Sequence, residues 1–202
     1  MQTRRNWIRS SIGLVGLLLA PEIALSKEEV RKFNPRPLSK TIKLSSNENP
    51  YGPSEKVQKA VIKAFKNGCR YPRTYSNALA EKLAKLHGVS TENIIITGGS
   101  TEGLKITGLT FANGGGEIIA AKPTFLAMMN FAEQWGAKIR WVPVGEDKGY
   151  DLNAINNRIN NNTKLVFLCN PNNPTATVLG KESLIDFCSS ASNTTIVFSD
   201  EA

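Results

Sequence analysis

Four short stretches of the sequence carry residue types that could together bind one charged ring. Residues 98–103 read "GGSTEG" and offer hydroxyls and free backbone N–H groups where a helix is predicted to begin, a combination that favours an anion such as phosphate. Residues 170–175 read "NPNNPT", in which prolines fix the backbone so that an asparagine can donate a directed hydrogen bond to a ligand oxygen. Phe125 supplies an aromatic face and Asp200 a carboxylate. The set predicts a site for a flat, phosphorylated, nitrogen-containing ring.

Each stretch alone also has a simpler structural explanation. Ser100 is a residue type that caps helices, and "NPNNPT" is equally typical of an Asx and proline turn. The glycine run matches neither the Walker nor the dinucleotide-binding spacing, which argues against a nucleotide-binding protein. The prediction therefore depends on the fold bringing the four stretches together.

Short apolar strands and amphipathic helices alternate along the chain from residue 54. This alternation predicts an α/β fold with a mostly parallel sheet and helices on both faces. Ligands bind such sheets at the carboxyl ends of the strands, which is where the four stretches fall. The predicted strands cover residues 93–97, 117–121, 138–144, 164–168 and 195–199. The predicted helices cover residues 54–65, 77–87, 100–111 and 124–135, a stretch with Leu152, Ile155 and Ile159, and a segment around 184–188. Ser54 is the predicted N-cap of the first helix. In the second helix Leu79, Leu83 and Leu86 are predicted to face inward, and Gly88 is predicted to end it.

Composition excludes several classes of protein. The net charge of +8 is confined to the front of the chain, because residues 1–72 carry 14 Lys and Arg against 5 acidic residues, whereas residues 73–202 carry 11 against 12. Without a basic face interleaved with aromatics, we expect no nucleic-acid partner. Cys69, Cys169, Cys188 and the single His87 show no metal-ligand spacing, so we expect no metal site. Cys169 and Cys188 lie in apolar runs, which is typical of small buried side chains.

The first 26 residues have the pattern of an export signal. A basic start with Arg4 and Arg5 precedes an apolar run at 12–20 and a small-residue segment, a run too short to span a bilayer comfortably. The paired arginines resemble a twin-arginine signal, which predicts transient contact with export machinery and a periplasmic location. A cytoplasmic protein or a membrane-tethered leader is the alternative. Residues 27–46 are interpreted as an N-terminal arm, and residues 47–202 as the domain.

Six motifs in order make the chain resemble a known family over residues 44–202. They are "LSSNENPYGPS", "CRYPRTYSNALAEKLAKLHGV", "GGSTEG", "KPTF", "NPNNPT" and "SDEA". In this combination the chain resembles the fold-type-I pyridoxal-phosphate (PLP) aminotransferases, particularly the histidinol-phosphate aminotransferase group. The resemblance implies PLP as cofactor and the large domain of the PLP-dependent transferase fold, C-terminally incomplete.

The resemblance also implies roles for individual residues. Asn173 would bond the phenolic oxygen of the cofactor, Asp200 would pair with the ring nitrogen and keep it protonated, and Phe125 would stack on the ring. Ser100, Thr101 and Glu102 would hold the phosphate. Tyr71 resembles a tyrosine that reaches the phosphate in the neighbouring subunit, which implies a homodimer, although a core tyrosine is the alternative. Asn47, Glu48 and Tyr51 would line the substrate entrance.

Three features depart from the family pattern. Ala176 stands where glycine normally follows "NPNNPT", and glycine takes backbone angles that alanine resists. The family tyrosine after "DEA" and the Schiff-base lysine are not among the 202 residues. The lysines present near the motifs lie in the wrong contexts to replace it: Lys105, Lys122, Lys164 and Lys181. We therefore expect no catalytic residue in this chain and no turnover by residues 1–202 alone.

The resemblance implies amino-group transfer between a small amino donor, for example histidinol phosphate, and a 2-oxo acid in the full-length protein. A PLP-dependent decarboxylase of the threonine-phosphate type is the alternative within the fold. A truncated, non-catalytic remnant that binds the cofactor weakly or not at all is the alternative from another class.

Overall fold

A computed structural model describes residues 46–201, which fall into two units that divide after Pro72. The predictions of an export signal at 1–26 and of an arm up to residue 45 lie outside the described residues.

The first unit contains helix α1, Glu55–Ala64, and a 3-10 turn at Phe65–Asn67. Ser54 is the N-cap as predicted, because its hydroxyl accepts a hydrogen bond from the Val57 amide at 3.4 Å, which satisfies one of the free N–H groups of the first turn. The predicted apolar face of α1 is present in the sequence but is not buried in this structure.

The second unit is built on four parallel strands in the order β2-β1-β3-β4. The strands are β1 (Glu117–Lys122), β2 (Lys138–Pro143), β3 (Thr163–Cys169) and β4 (Ile196–Asp200). The central strands β1 and β3 are buried on both faces, as expected when helices cover both sides of a parallel sheet. The parallel α/β architecture predicted from the alternation is thereby confirmed.

Five helices accompany the sheet, and four of them enclose its two cores. α3 and α4 pack on one face, where Leu104 and Met128 join Phe167 in one apolar cluster. α5 and α6 pack on the other, where Ile155 and Phe187 join Val166 in a second cluster. The helices are α2 (Arg73–His87), α3 (Ser100–Ala112), α4 (Ala127–Glu133), α5 (Leu152–Asn156) and α6 (Lys181–Ala191).

The prediction of a strand at residues 93–97 was wrong, because the structure has no strand there. Thr91–Asn93 form a 3-10 turn, and the following residues join no strand ladder. Ile94 has extended backbone angles, yet Ile95 is 85% exposed. An apolar, β-branched run indicates a preference for extended backbone, but a strand also needs a neighbour to accept its hydrogen bonds. The described residues supply none here.

Several helices differ from their predicted bounds or burial. α2 begins four residues earlier than predicted, and it buries Ala80 and Ala84 while Leu79 and Leu86 are exposed. Gly88, at φ +66°, ends this helix as predicted, since glycine takes left-handed angles without strain. α4 begins later than predicted and α5 ends before Ile159, because helix ends depend on tertiary contacts that periodicity does not report.

A charged pair joins the amino ends of β1 and β2. Arg140 donates to both carboxylate oxygens of Glu117, with Nη2 at 2.9 Å and Nε at 3.1 Å, and Asn160 Nδ2 donates at 3.1 Å. The hydrogen bonds from Arg140 and Asn160 lower the pKa of Glu117 against the opposing effect of burial. A carboxyl whose pKa is lowered by folding stabilises the folded state above its unfolded pKa and loses that contribution as the pH falls through the folded pKa.

We therefore predict that Glu117→Gln lowers the free energy of unfolding at pH 7 and that the difference from wild type shrinks below about pH 4, as the wild-type carboxyl is protonated. Urea unfolding followed by circular dichroism at several pH values measures this. Glu133→Gln, on the exposed side of α4, is the matched control and should show little difference at any pH. A Glu117→Gln deficit that stays constant down to pH 3 would contradict the prediction.

Candidate functional site

Phe125, Asn173 and Asp200 converge around Cys169 at the carboxyl ends of the strands. Cys169 is the last residue of β3, is 3% exposed and lies opposite Asp200 in the pairing with β4. Burial raises the pKa of the Cys169 thiol, the Asn173 and Phe125 backbone groups act to lower it, and the Asp200 carboxylate raises it further. The backbones of Asn173 and Phe125 and the carboxylate of Asp200 therefore lie close to one sulfur atom. The strand-end residues predicted to meet therefore do meet.

Asp200 provides a buried carboxylate at the end of β4. It is 7% exposed, and its backbone oxygen accepts a hydrogen bond from the Asn170 amide at 2.8 Å, which joins the ends of β3 and β4. Its negative charge also acts on the hydroxyl of Tyr150, whose pKa is raised mainly by burial and additionally by Cys169 and Asp200. A cation or a protonated ring nitrogen is the group that such a carboxylate would favour.

The three asparagines of "NPNNPT" have different surroundings. Asn170 Oδ1 accepts from the Leu179 amide at 2.9 Å, so it fixes the exit of the loop. Asn172 is 2% exposed, and its amide group is hydrogen-bonded at both the oxygen and the nitrogen. Asn173 is half-buried, and within residues 46–201 the structure gives its side chain no hydrogen bond. Of the three side chains, that of Asn173 is the one in which neither the oxygen nor the nitrogen is hydrogen-bonded among the described residues.

The glycine turn predicted to bind phosphate lies at the start of α3, and the alternative of Ser100 as the N-cap is not what the structure has. Gly99, not Ser100, is the N-cap, with a φ of 104° that only glycine adopts readily. Thr97 Oγ1 donates to the Gly99 oxygen at 3.0 Å, and the Glu102 carboxylate accepts from the Gly98 amide. The loop is therefore held from both sides, and the exposed first turn presents the amides and hydroxyls of Ser100 and Thr101.

Glu102 holds this turn through two contacts. Its backbone amide donates to the Gly99 oxygen at 3.2 Å, and its carboxylate accepts from the Gly98 amide. The residue thus braces the turn, and the binding of a phosphate by its backbone amide stays a prediction. α3 packs against β3, and its Leu104 shares a core cluster with Cys169, against which Phe125 also packs.

The four other predicted site residues lie in the first unit. Asn47, Glu48, Tyr51 and Tyr71 are all exposed, Tyr51 and Tyr71 by more than nine-tenths. Tyr51 lies in a turn closed by its own amide, which donates to Asn49 Oδ1 at 3.0 Å. Their roles at the substrate entrance and in a neighbouring subunit stay predictions.

Two residues that support the site, Thr124 and Tyr150, were not predicted from the sequence. Thr124 is 5% exposed and donates to Asn172 Oδ1 at 2.9 Å, while the Tyr150 hydroxyl lies 2.9 Å from the same oxygen. Thr124 directly precedes Phe125 in the motif "KPTF", and this position could have indicated that it lies near the site. Tyr150 lies 22 residues before Asn172, and no local pattern connects the two.

Cysteine and metal predictions can be compared with the described residues. Cys169 is buried as predicted, Cys188 is half-buried and Cys69 is exposed, and none of the three forms a disulfide there. Residues 46–201 contain no cluster of histidine, cysteine and acidic side chains that could hold a metal ion. Over the same range, no helix has the length and apolar character needed to cross a membrane.

Ala176, which stands where the family has glycine, takes left-handed backbone angles with φ at 57°. The turn is closed by its amide, which donates to the Asn172 oxygen at 2.7 Å, so the strained conformation is held in place. For a residue with a Cβ this region costs about 1–2 kcal/mol.

We expect Ala176→Gly to raise the free energy of unfolding by about 0.5 kcal/mol, because relief of the strain exceeds the greater chain entropy of glycine in the unfolded state. Urea unfolding of both proteins measures the difference. Ala78→Gly, at an exposed position inside α2, is the matched control and should instead lower stability by about 1 kcal/mol. Equal losses in both variants would show that Ala176 is unstrained.

Comparison with known proteins gives one consistent family. Residues 39–202 match the family model "Aminotransferase class I and II". The chain is 36% identical to histidinol-phosphate aminotransferase 1 of Bacillus cereus and 38% identical to the histidinol-phosphate aminotransferase of Desulfotalea psychrophila, each over 165 residues. These alignments cover 82% of this chain but only 44% and 43% of the relatives. The chain therefore spans less than half the length of the curated relatives it matches.

A solved structure supports the same assignment. The histidinol-phosphate aminotransferase of Sinorhizobium meliloti, in complex with pyridoxal-5'-phosphate, superposes with a TM-score of 0.72 at 25% identity, over 78% of this chain and 43% of that one. The residues of this chain are compatible with the same cofactor, since the Asp200 carboxylate and the loops that carry Phe125 and Asn173 lie close to Cys169. The fold, the matched family model and the strand-end residues agree that the chain belongs to the class I and II aminotransferases, whose cofactor here is pyridoxal phosphate.

Proposed function

We propose that the protein transfers an amino group between histidinol phosphate and a 2-oxo acid. The observation that carries the proposal is the convergence of Phe125, Asn173 and Asp200 around Cys169 at the carboxyl edge of the sheet. Bound pyridoxal phosphate supplies an electron sink for the carbanion formed at the α-carbon of an amino acid. The residues of this chain would bind that ring and set its charge.

Each residue's proposed part follows from its chemistry. The Asp200 carboxylate, being buried, would hold a proton on the ring nitrogen. The Asn173 amide would donate to the phenolic oxygen, and the Phe125 ring would cover one face of the cofactor and keep water from it. The amides and hydroxyls of Ser100 and Thr101 would bind the phosphate at the start of α3, where the helix dipole favours an anion.

The substrate proposal is supported by the relatives. Those quoted above, at 36% and 38% identity, are named histidinol-phosphate aminotransferases. We propose that Asn47, Glu48 and Tyr51 line the substrate entrance, and that Tyr71 reaches the phosphate site of a second copy in a homodimer. Because the chain spans under half of these relatives, the activity, the substrate and the dimer are all proposals.

The experiment is an assay of the protein expressed from its complete reading frame and saturated with pyridoxal phosphate. We expect glutamate to form from 2-oxoglutarate when histidinol phosphate is the donor. Release of carbon dioxide from threonine phosphate, without glutamate, would identify a decarboxylase instead. Absence of cofactor binding in equilibrium dialysis would identify a non-catalytic protein and overturn the proposal.

A further inference from the structure

Tyr150 lies behind the candidate cofactor site and reaches both loops that carry cofactor-facing residues. It follows β2 in the chain, is half-buried, and places its hydroxyl 3.0 Å from Thr124 Oγ1 and 2.9 Å from Asn172 Oδ1. Thr124 directly precedes Phe125, and Asn172 directly precedes Asn173. One hydroxyl thus joins the loop after β1 to the loop after β3.

The same hydroxyl also completes the hydrogen bonding of β3. The ladder between β1 and β3 ends at the pair Ala120 and Phe167, two residues before the strand ends. The Cys169 amide lies beyond that ladder, and it donates to the Tyr150 oxygen at 3.0 Å. Cys169 is buried, so its amide would have no solvent partner if the hydroxyl were removed, and a buried unpaired donor is costly.

Asn172 has a defined orientation within this network. Its Nδ2 donates to the Pro123 oxygen at 3.1 Å and to Thr175 Oγ1 at 2.8 Å, so Oδ1 must face the two hydroxyls. Thr124 and Tyr150 each bring one hydrogen to a triangle of three oxygens spaced 2.9–3.0 Å apart. Burial raises the pKa of Tyr150, which keeps the phenol protonated and able to donate at neutral pH.

We propose that Tyr150 is a positioning residue for the cofactor site: its hydroxyl clamps the loop of Phe125 to the loop of Asn173 and so sets the distance between the ring-covering aromatic and the oxygen-binding amide. The proposal rests on the proposed function of this site. Tyr150 itself is not proposed to touch cofactor or substrate.

The test compares Tyr150→Phe with Thr195→Val. Both changes delete one hydroxyl that is hydrogen-bonded to the backbone of β3. The Tyr150 hydroxyl bonds at the carboxyl end of β3, whereas the Thr195 hydroxyl donates to the Thr163 oxygen at 3.2 Å at the amino end. Hydrogen exchange measured by mass spectrometry without cofactor should be at least about fivefold faster across residues 169–176 in Tyr150→Phe only. The affinity for pyridoxal phosphate should weaken by about tenfold in Tyr150→Phe and stay within about twofold of wild type in Thr195→Val.

A third readout separates positioning from a general loss of stability. The induced circular dichroism of bound pyridoxal phosphate at saturation depends on how the ring is held, and it should fall in Tyr150→Phe and not in Thr195→Val. Thr124→Val removes the other hydroxyl of the triangle, and its effect on affinity combined with Tyr150→Phe should be less than the sum of the two, because both act on one network.

Unchanged exchange at residues 169–176 in Tyr150→Phe would overturn the proposal, and so would faster exchange with unchanged cofactor affinity and dichroism. If Tyr150→Phe does not fold, Thr124→Val alone must show both effects or the proposal fails. Wild-type protein that binds no pyridoxal phosphate would overturn the proposed function, and the exchange rates would then still decide whether Tyr150 joins the two loops.

Discussion

Replacing Asp200 by asparagine should weaken the binding of pyridoxal phosphate by about 10- to 100-fold, the largest effect we expect from a single site residue. Asp200 is 7% exposed and lies beside Cys169 at the carboxyl edge of the sheet. In such a place a charge-assisted hydrogen bond is stronger than in water. Asparagine keeps the shape of the side chain but removes the charge that would hold a proton on the ring nitrogen.

The measurement is equilibrium dialysis against pyridoxal phosphate, with amino transfer assayed on the same preparations of protein expressed from the complete reading frame. Asp186→Asn is the matched control, because Asp186 is an exposed residue of α6, and it should bind as wild type does. We expect the loss in transfer rate to exceed the loss in affinity, since protonation of the ring nitrogen matters more as charge develops on the ring. If Asp200→Asn bound pyridoxal phosphate with wild-type affinity, the proposal that Asp200 contacts the cofactor would be wrong.

Replacing Asn172 by alanine should lower the free energy of unfolding by about 2–4 kcal/mol. Its amide bonds to Pro123 and Thr175 through nitrogen and to Thr124 and Tyr150 through oxygen. Alanine would remove four hydrogen bonds of a buried side chain at once, one of them to the buried Thr124. In a domain whose total stability is about 5–15 kcal/mol, this is a large share.

Asn173→Ala is the comparison variant, because it removes the neighbouring asparagine side chain. The side chain of Asn173 is half-buried and has no hydrogen bond within residues 46–201, so its loss should change stability by less than about 0.5 kcal/mol. It should nevertheless weaken the binding of pyridoxal phosphate, whereas its neighbour acts mainly on stability. Urea unfolding and equilibrium dialysis of both variants provide the answer, and equal effects on stability would contradict the division of roles between the two asparagines.

The parallel sheet was predictable because its signal is local. Apolar runs of five to seven residues separated by amphipathic helices can be recognised from neighbouring residues alone. β1 and β3 form where they were expected. The segment at 93–97 shows where local reasoning fails. Its isoleucines have the same pattern as those of β1, but a strand is defined by a neighbour, and no local pattern specifies that neighbour.

The site was predictable as a set of residue types and less so as a set of contacts. Phe125 and Asp200 were identified because parallel strands bring their carboxyl ends to one edge, whereas Asn173 was chosen among the three asparagines by the resemblance to the family. The bracing of the glycine turn by Glu102 was not predicted, because it depends on which way a flexible carboxylate turns.

By itself, then, the sequence determined the class of fold, the family and the chemistry of the strand ends, since these follow from periodicity and from motifs that are contiguous in the chain. Only the tertiary structure decided which asparagine is buried and which is available, that Ala176 takes left-handed angles, and that the Tyr150 hydroxyl joins two loops. The burial of Asn172 and the contacts of Tyr150 depend on atoms 22 to 48 residues apart in the chain that come within 3.0 Å of one another, and a sequence pattern does not specify those distances. The angles of Ala176 depend on a turn closed by the Asn172 oxygen, whose geometry residue types alone do not determine.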